Sequence, residues 1–122
     1  MEYPVLDAEL ADQLFTAANE ADITDLRAMV AEFVADLAPR FAALHRQCAA
    51  SAAEGVEAQR GLHGLRGVAA NFALARTAEQ LRVLEKGWSG FSPAERSALL
   101  GGAEASLQTG LRALRERFAY LG

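Results

Sequence analysis

The sequence predicts an all-α protein, an antiparallel four-helix bundle with a short additional N-terminal helix, and three observations support this prediction. Apolar residues recur at intervals of three and four along nearly the whole chain, as they do on the buried face of an amphipathic helix. β-Branched residues are few and do not alternate with polar ones, so strands are not indicated. Glycine and proline gather in one clear turn, EKGWSGFSP at 85–93, which separates the last helix from the others.

The first two helices are predicted from their caps and their apolar stripes. A short helix capped by Asp7 is expected over about 7–19, because leucines recur along one face of that segment. Asp22 or Thr24 can begin a long second helix that extends to about residue 50. Pro39 interrupts the stripe of this helix without changing its phase, which predicts a kink and not an end.

The rest of the chain predicts three further helices. The third is expected over about 54–72 and the fourth over about 74–85. A capping box that begins at Ser92 starts the last helix, with proline at its first helical position. The apolar stripe of that helix stays in phase across the glycines at 101–102, which favours one continuous helix; whether the glycines bend it is left open.

Composition predicts one cytoplasmic domain that covers residues 1–122. The chain is long enough for one hydrophobic core. It has no apolar run of membrane-spanning length, and its first residues lack a signal-peptide pattern. Its single cysteine cannot form an intramolecular disulfide. A net charge of −4 gives no support to nucleic-acid binding.

The charge is unevenly distributed along the sequence. Residues 1–36 carry nine acidic side chains and one basic one, whereas residues 37–122 carry seven acidic and eleven basic ones. Each of these charges is compatible with an ordinary solvated face. The excess of basic residues in the larger part of the chain nevertheless suits an acidic partner.

The segment GLHGLRGVAANFA at 61–73 has a glycine at every third position, although glycine within a helix costs about 0.5–1 kcal/mol relative to alanine. A phosphate-binding loop would need a lysine and a hydroxyl at fixed places after the glycines, and neither follows here. The apolar stripe runs through the segment, so a helix is predicted. On that helix His63 lies opposite Leu65, Val68 and Phe72, which predicts an exposed imidazole.

An exposed, neutral imidazole is a competent nucleophile at cytoplasmic pH. Arg66 follows His63 by three residues and therefore shares its face of the helix. A phosphoryl group on His63 would add negative charge, which this guanidinium could offset through hydrogen bonds to the phosphoryl oxygens.

The stretch LHGLRGVAANFALARTAEQLRVLE at 62–85 resembles the signature of histidine-phosphotransfer (HPt) domains. The matching residues are His63, Leu65, Arg66, Gly67, Val68, Ala69, Asn71, Phe72, Leu84 and Glu85. The predicted order of helices extends the resemblance over essentially the whole chain. Three positions depart from the pattern: Arg66 replaces the commoner lysine, Ala73 replaces a frequent glycine, and Thr77 replaces a usual leucine. The alanine leaves the sharpness of the following bend open.

The resemblance implies a phosphocarrier of a multistep phosphorelay and not an enzyme with turnover. His63 would accept a phosphoryl group from a receiver-domain aspartate of a hybrid sensor kinase and pass it to the aspartate of a response regulator, assisted by Arg66. The partner receivers would supply Mg²⁺, this chain would bind no cofactor or metal, and it would act as a monomer without membrane or nucleic acid. The docking surface would comprise the α-helical residues Gln59, Arg60, Gly64, Gly67, Ala70 and Asn71. The alternative is a helical module that binds receiver or kinase domains without carrying phosphate.

The remaining chemically distinctive residues have structural interpretations. His45 is expected at a solvated or boundary position, Cys48 in the core, and Trp88 over one end of the helices. Two histidines and one cysteine cannot assemble a metal-ligand pattern. Asn71 could either end the third helix or form a hydrogen bond near His63, and Gln59 could be solvated or could border the phosphoryl group.

Overall fold

The computed structural model describes residues 2–49 and 52–122, with side chains described from residue 55 onward in the second range. The described residues form five α-helices and no strand, so the predicted all-α class is confirmed. The helices are α1 (Ala8–Phe15), α2 (Glu20–Gln47), α3 (Ala52–Asn71), α4 (Ala75–Gly87) and α5 (Pro93–Arg117). Within the described ranges, no helix combines the length and the apolar character that crossing a membrane requires.

The first two helices differ from their predicted bounds because Asn19 begins a helix and does not end one. Its side-chain oxygen accepts a hydrogen bond from the backbone N–H of Asp22 at 2.9 Å, as an N-cap residue does. Consequently α1 ends at Phe15, and α2 begins at Glu20, two residues before the nearer predicted start. The cap of α1 is the predicted one, since Asp7 Oδ1 accepts from the N–H of Leu10 at 3.1 Å.

Proline and glycine, the residue types that most disfavour a helix, occur inside the long helices α2 and α5. Pro39 lies within α2, which continues to Gln47, so the prediction that this proline does not end the helix is confirmed. The glycines at 101–102 lie within the continuous helix α5. That helix begins with the predicted capping box, in which Ser92 accepts from the N–H of Glu95 and the Glu95 carboxylate accepts from the N–H of Ser92.

Helix α3 also contains all three glycines of segment 61–73, so residues 61–71 are helical and do not form a phosphate-binding loop. The chain turns into α4 at Ala73, which has a φ of 62°, in the left-handed region. The N–H of Leu74 donates to the carbonyl of Ala69 at 3.0 Å, as in a Schellman helix end. Glycine usually occupies such a position. The sequence left open how sharp the bend would be, and the structure shows that Ala73 adopts the left-handed conformation of a tight turn.

The core is built mainly from the apolar stripes of the long helices, as predicted, although Met29 of the α2 stripe is exposed. In α1 the predicted leucine face is only partly buried, because Leu14 is exposed and the buried residues are Ala11 and Phe15. Leu62, Leu65 and Ala69 of α3 are fully buried, and Leu81 and Leu84 of α4 are fully buried with them. Other core residues include Val30, Phe33, Leu37, Phe41 and Leu44 from α2 and Leu100, Ala103, Leu107, Leu111 and Leu114 from α5. Burial of each large aliphatic side chain contributes about 1.5–3 kcal/mol, which holds the helix faces together.

The two ends of the helical assembly are closed by aromatic residues. Phe72 stacks on Phe33 with ring centroids 4.2 Å apart and contacts Phe15 of α1 at 6.0 Å. At the other end Trp88 is buried, as predicted, and the guanidinium of Arg96 lies 4.5 Å from the centre of its ring. Cys48 is also buried, as expected, and this burial raises the pKa of its thiol.

The segment before α1 is fixed to α4 and α5. The N–H of Arg76 donates to the carbonyl of Pro4 at 2.9 Å, and the N–H of Asp7 donates to the carbonyl of Ala73 at 2.8 Å. The backbone of Val5 lies directly on Gly110, where an added Cβ would come within 2.8 Å of the Val5 carbonyl oxygen. Glycine is therefore required at position 110 for this close approach.

Thr77 is fully buried in α4, and its Oγ1 has no hydrogen-bond partner within the described part of the chain. Desolvation of an unsatisfied hydroxyl is destabilising. The substitution Thr77→Val keeps the shape and removes the hydroxyl, so we expect the free energy of unfolding to rise by about 1 kcal/mol and Tm by roughly 4 °C.

Calorimetry of Thr77→Val beside Thr109→Val checks this expectation. Thr109 is exposed on α5, and its Oγ1 donates to the carbonyl of Ala105 at 3.1 Å. Its replacement should leave Tm unchanged or slightly lower. A Thr77→Val protein that melts below the wild type would show that the hydroxyl is satisfied.

Candidate functional site

The candidate site is centred on His63, which α3 directs away from the core. Its neighbour Leu62 is fully buried, whereas the side chain of His63 retains 66% of its accessible surface. This outcome follows from the helical period, because residues on the apolar stripe fix which face of α3 is inward. The predicted exposure of the imidazole is confirmed.

Glu85 of α4 contacts the imidazole directly. Its Oε1 lies 3.0 Å from His63 Nδ1, and its side chain is only 13% exposed. A carboxylate can only accept a hydrogen bond, so this contact requires a proton on Nδ1. The sequence analysis names Glu85 only through a resemblance, and the helical geometry of α3 alone gives no sign that this residue reaches His63.

Arg66 contacts both members of this pair. Its Nη2 lies 3.1 Å from His63 Nδ1, and its Nη1 lies 3.3 Å from Glu85 Oε2. Glu85 Oε2 is buried and accepts no well-aligned hydrogen bond from the described residues, so the guanidinium meets it as an ion pair. The position of Arg66 one turn from His63 agrees with the prediction, although the sequence did not indicate that it would pair with Glu85.

The two contacts at His63 Nδ1 compete for one ring position. Glu85 needs a proton there, whereas Arg66, which has only N–H groups, needs a lone pair. The carboxylate contact is slightly shorter, and Arg66 keeps a partner in Glu85 Oε2 when it gives up Nδ1. The tautomer with Nδ1 protonated satisfies Glu85 and leaves the lone pair on Nε2.

Gln59 lies one turn before His63 and faces α4. It is partly buried, and its Nε2 donates to the main-chain carbonyl of Glu85 at 3.0 Å. Its amide is thus engaged between the helices, which differs from the solvated side chain that was one of the two sequence interpretations. Glu85 is therefore contacted from α3 by three residues, Gln59, His63 and Arg66.

The other residues of the predicted docking surface lie on the outer face of α3. Arg60, Gly64, Gly67, Ala70 and Asn71 are all exposed. An added Cβ at either glycine would meet no described heavy atom within 4 Å apart from the backbone of α3 and the adjoining residues. Asn71 is the last residue of α3, which is the first of the two roles that the sequence left open. Gly64, Gly67 and Ala70 therefore form a surface of small residues beside His63.

Gly61 differs from the other two glycines of the segment. An added Cβ at Gly61 would lie 3.3 Å from Leu44 Cδ2 of α2, which is a tight contact. This glycine therefore permits close approach of α2 and α3. The segment 61–73 has glycine for two separate reasons, packing at position 61 and an open surface at positions 64 and 67.

The second histidine has an ordinary environment. His45 Nε2 lies 3.0 Å from Glu104 Oε1 at the protein surface, with 37% of the His45 side chain exposed. This is the boundary position that the sequence predicts. In the ranges that the structure describes, no three His, Cys, Asp or Glu side chains are grouped so that they could hold a metal ion.

Comparisons of the chain with models of protein families, with curated proteins and with solved structures found no match. A function is therefore assigned from the geometry around His63 and from the chemistry of the residues that contact it.

Proposed function

We propose that this chain is a phosphocarrier that accepts a phosphoryl group on His63 Nε2 from the aspartyl phosphate of one receiver domain and passes it to the aspartate of another. The observation that supports the proposal is the exposed imidazole whose Nδ1 lies against the carboxylate of Glu85. In this proposal α2 to α5 are the antiparallel four-helix bundle of an HPt domain, and α1 is an additional helix. The single domain works as a cytoplasmic monomer.

The transfer step uses the lone pair of Nε2. This nitrogen attacks phosphorus, the bond between phosphorus and the aspartyl oxygen breaks, and the aspartate leaves as a carboxylate. The imidazole keeps its Nδ1 proton and becomes positively charged as the new N–P bond forms. Glu85 offsets that charge through its hydrogen bond to Nδ1, as a carboxylate behind a catalytic histidine does. Return of the phosphoryl group to a second aspartate is the reverse reaction.

Arg66 supplies a cation beside the reacting nitrogen. In the unphosphorylated protein its guanidinium is shared between His63 and Glu85. A phosphoryl group on Nε2 offers stronger acceptors, and the planar guanidinium can donate two hydrogen bonds to them. Arg66 therefore stabilises the phosphorylated form without forming a bond to phosphorus.

The open surface of α3 allows the partner to approach. In-line attack requires the reacting atoms to come within about 3–3.5 Å, which brings the loops of a receiver almost onto the helix. Gly64, Gly67 and Ala70 have no bulky side chains in the way. The receiver supplies Mg²⁺ and the groups that activate its own aspartate, so this chain needs no cofactor.

Substitution of His63 by glutamine tests the site. His63→Gln should fold normally, with a change in the free energy of unfolding within about 0.5 kcal/mol, because the side chain is exposed. It should accept no ³²P from a phosphorylated receiver, whereas His45→Gln should accept it as the wild type does. Acid-labile, base-stable label on the His63→Gln protein would contradict the assignment. Receiver binding without label on the wild type would favour the alternative, an interaction module.

Arg66→Ala should slow transfer and shorten the lifetime of phosphohistidine by roughly tenfold each, equivalent to about 1.4 kcal/mol. Arg66→Lys keeps the charge, which matters more here than the two-point contact of a guanidinium, so it should retain most of the transfer rate. Arg112→Ala, an exposed position on α5, serves as the control. Rapid-quench measurements at low salt give the rates, and an unchanged rate for Arg66→Ala would remove its proposed role.

Gly67→Gln should separate stability from transfer. Glutamine favours a helix over glycine, and its Cβ would meet no described heavy atom within 4 Å outside α3, so Tm should rise by roughly 2 °C, from a gain of about 0.5 kcal/mol. The added side chain should nevertheless obstruct the receiver and strongly reduce transfer. Gly102→Gln on α5, where an added Cβ also meets open space, should gain similar stability and transfer normally. Normal transfer by Gly67→Gln would show that docking does not need the open surface.

A further inference from the structure

The carbonyl of Glu85 lies in the last turn of α4, which ends at Gly87. The last four carbonyls of an α-helix have no partner within the helix and need one from elsewhere. Gln59 donates a hydrogen bond from Nε2 to the carbonyl of Glu85 at 3.0 Å. A side chain of α3 thus caps the end of α4, and it does so at the residue whose carboxylate contacts His63.

Three residues on one face of α3 hold Glu85 at three different atoms. Gln59 contacts its main-chain oxygen, His63 contacts Oε1, and Arg66 contacts Oε2. Their spacing of four and three residues places them side by side on the helix surface. The amide of Gln59 restrains the backbone of Glu85, whereas the contacts of His63 and Arg66 restrain its side chain.

We propose that Gln59 is a positioning residue for phosphoryl transfer, acting through Glu85 and not through contact with the phosphoryl group or the partner. This inference rests on the proposed function of His63. The hydrogen bond to the Glu85 carbonyl holds the last turn of α4 beside His63. In that position the Glu85 carboxylate contacts His63 Nδ1. Gln59 thereby favours the tautomer that has its lone pair on Nε2.

The competition at Nδ1 explains why a restraint on the backbone matters. If the last turn of α4 moves away from α3, Glu85 Oε1 withdraws and Arg66 remains as the close neighbour of Nδ1. A guanidinium favours the opposite tautomer, with the lone pair on Nδ1 and the proton on Nε2. In that tautomer Nε2 cannot attack phosphorus. Loss of Gln59 should therefore reduce the population of the nucleophilic form.

The test uses phosphoramidate, a small phosphodonor that needs no docking surface. Nε2 attacks phosphorus, the P–N bond breaks, and ammonia leaves. We expect Gln59→Ala to reduce the labelling rate of His63 by roughly tenfold and Glu85→Ala to reduce it at least as much. In the double variant, Gln59→Ala should change the rate of Glu85→Ala by less than about twofold, because its effect passes through Glu85. If the double variant instead loses rate by the product of the two single-variant effects, the inference is overturned.

Two further measurements separate positioning from a general structural effect. The ¹⁵N resonances of His63 should show Nδ1 protonated in the wild type and a shift toward the other tautomer in Gln59→Ala. Gln59→Lys retains an N–H donor of similar reach and should recover most of the rate. Gln108→Ala, an exposed glutamine on α5, should change neither the rate nor the tautomer. A lower Tm for Gln59→Ala with an unchanged tautomer would leave only a structural role and contradict the proposal.

The proposed function and the positioning role can fail separately. A wild-type protein that takes no label from phosphoramidate or from a phosphorylated receiver would refute the function of His63. A labelled wild type together with a normally labelled Gln59→Ala protein would refute the positioning role alone. A Gln59→Ala protein that labels normally with phosphoramidate but slowly with a receiver would place Gln59 on the docking surface instead.

Discussion

The packing of α3 against α4 is the constraint on which the rest of the structure depends. Leucines of both helices are fully buried at this seam, and the left-handed turn at Ala73 sets how α4 returns along α3. That return brings Glu85 to His63, although the two residues are 22 positions apart in the sequence. The His63 imidazole has a defined chemical environment because the buried leucines between α3 and α4 fix the position of one helix relative to the other.

The glycines show how the surface near His63 differs from the interior. Gly110 and Gly61 leave room for a neighbouring segment, so packing explains them. Gly64 and Gly67 face open space, and no other described segment packs against them. Alanine would stabilise the helix at either position. Stability alone therefore does not explain these two residues, whereas the proposed docking of a receiver domain would explain them.

Local features of the sequence were sufficient to predict the helices, the capping box at Ser92 and the exposure of His63. Each depends on the period of a helix or on residues three or four apart. The start of α2 was predicted less well, because Asn19 can end one helix or cap the next, and the sequence does not decide between these roles. The contacts of Glu85 with Gln59 and His63 depend on the rotation of α4 about its axis. That rotation is set by core packing between distant residues and has no local signal.

Trp88, the one tryptophan of the chain, lies three residues after Glu85 and is 3% exposed. Its indole Nε1 would be 3.2 Å from a Cβ at Gly55, one turn before Gln59 on α3, and the guanidinium of Arg96 covers the ring. Indole emission depends on solvent and on nearby charge. The protein therefore contains an intrinsic optical reporter at the end of the seam next to its candidate site, and no label is needed to follow the separation of the two helices.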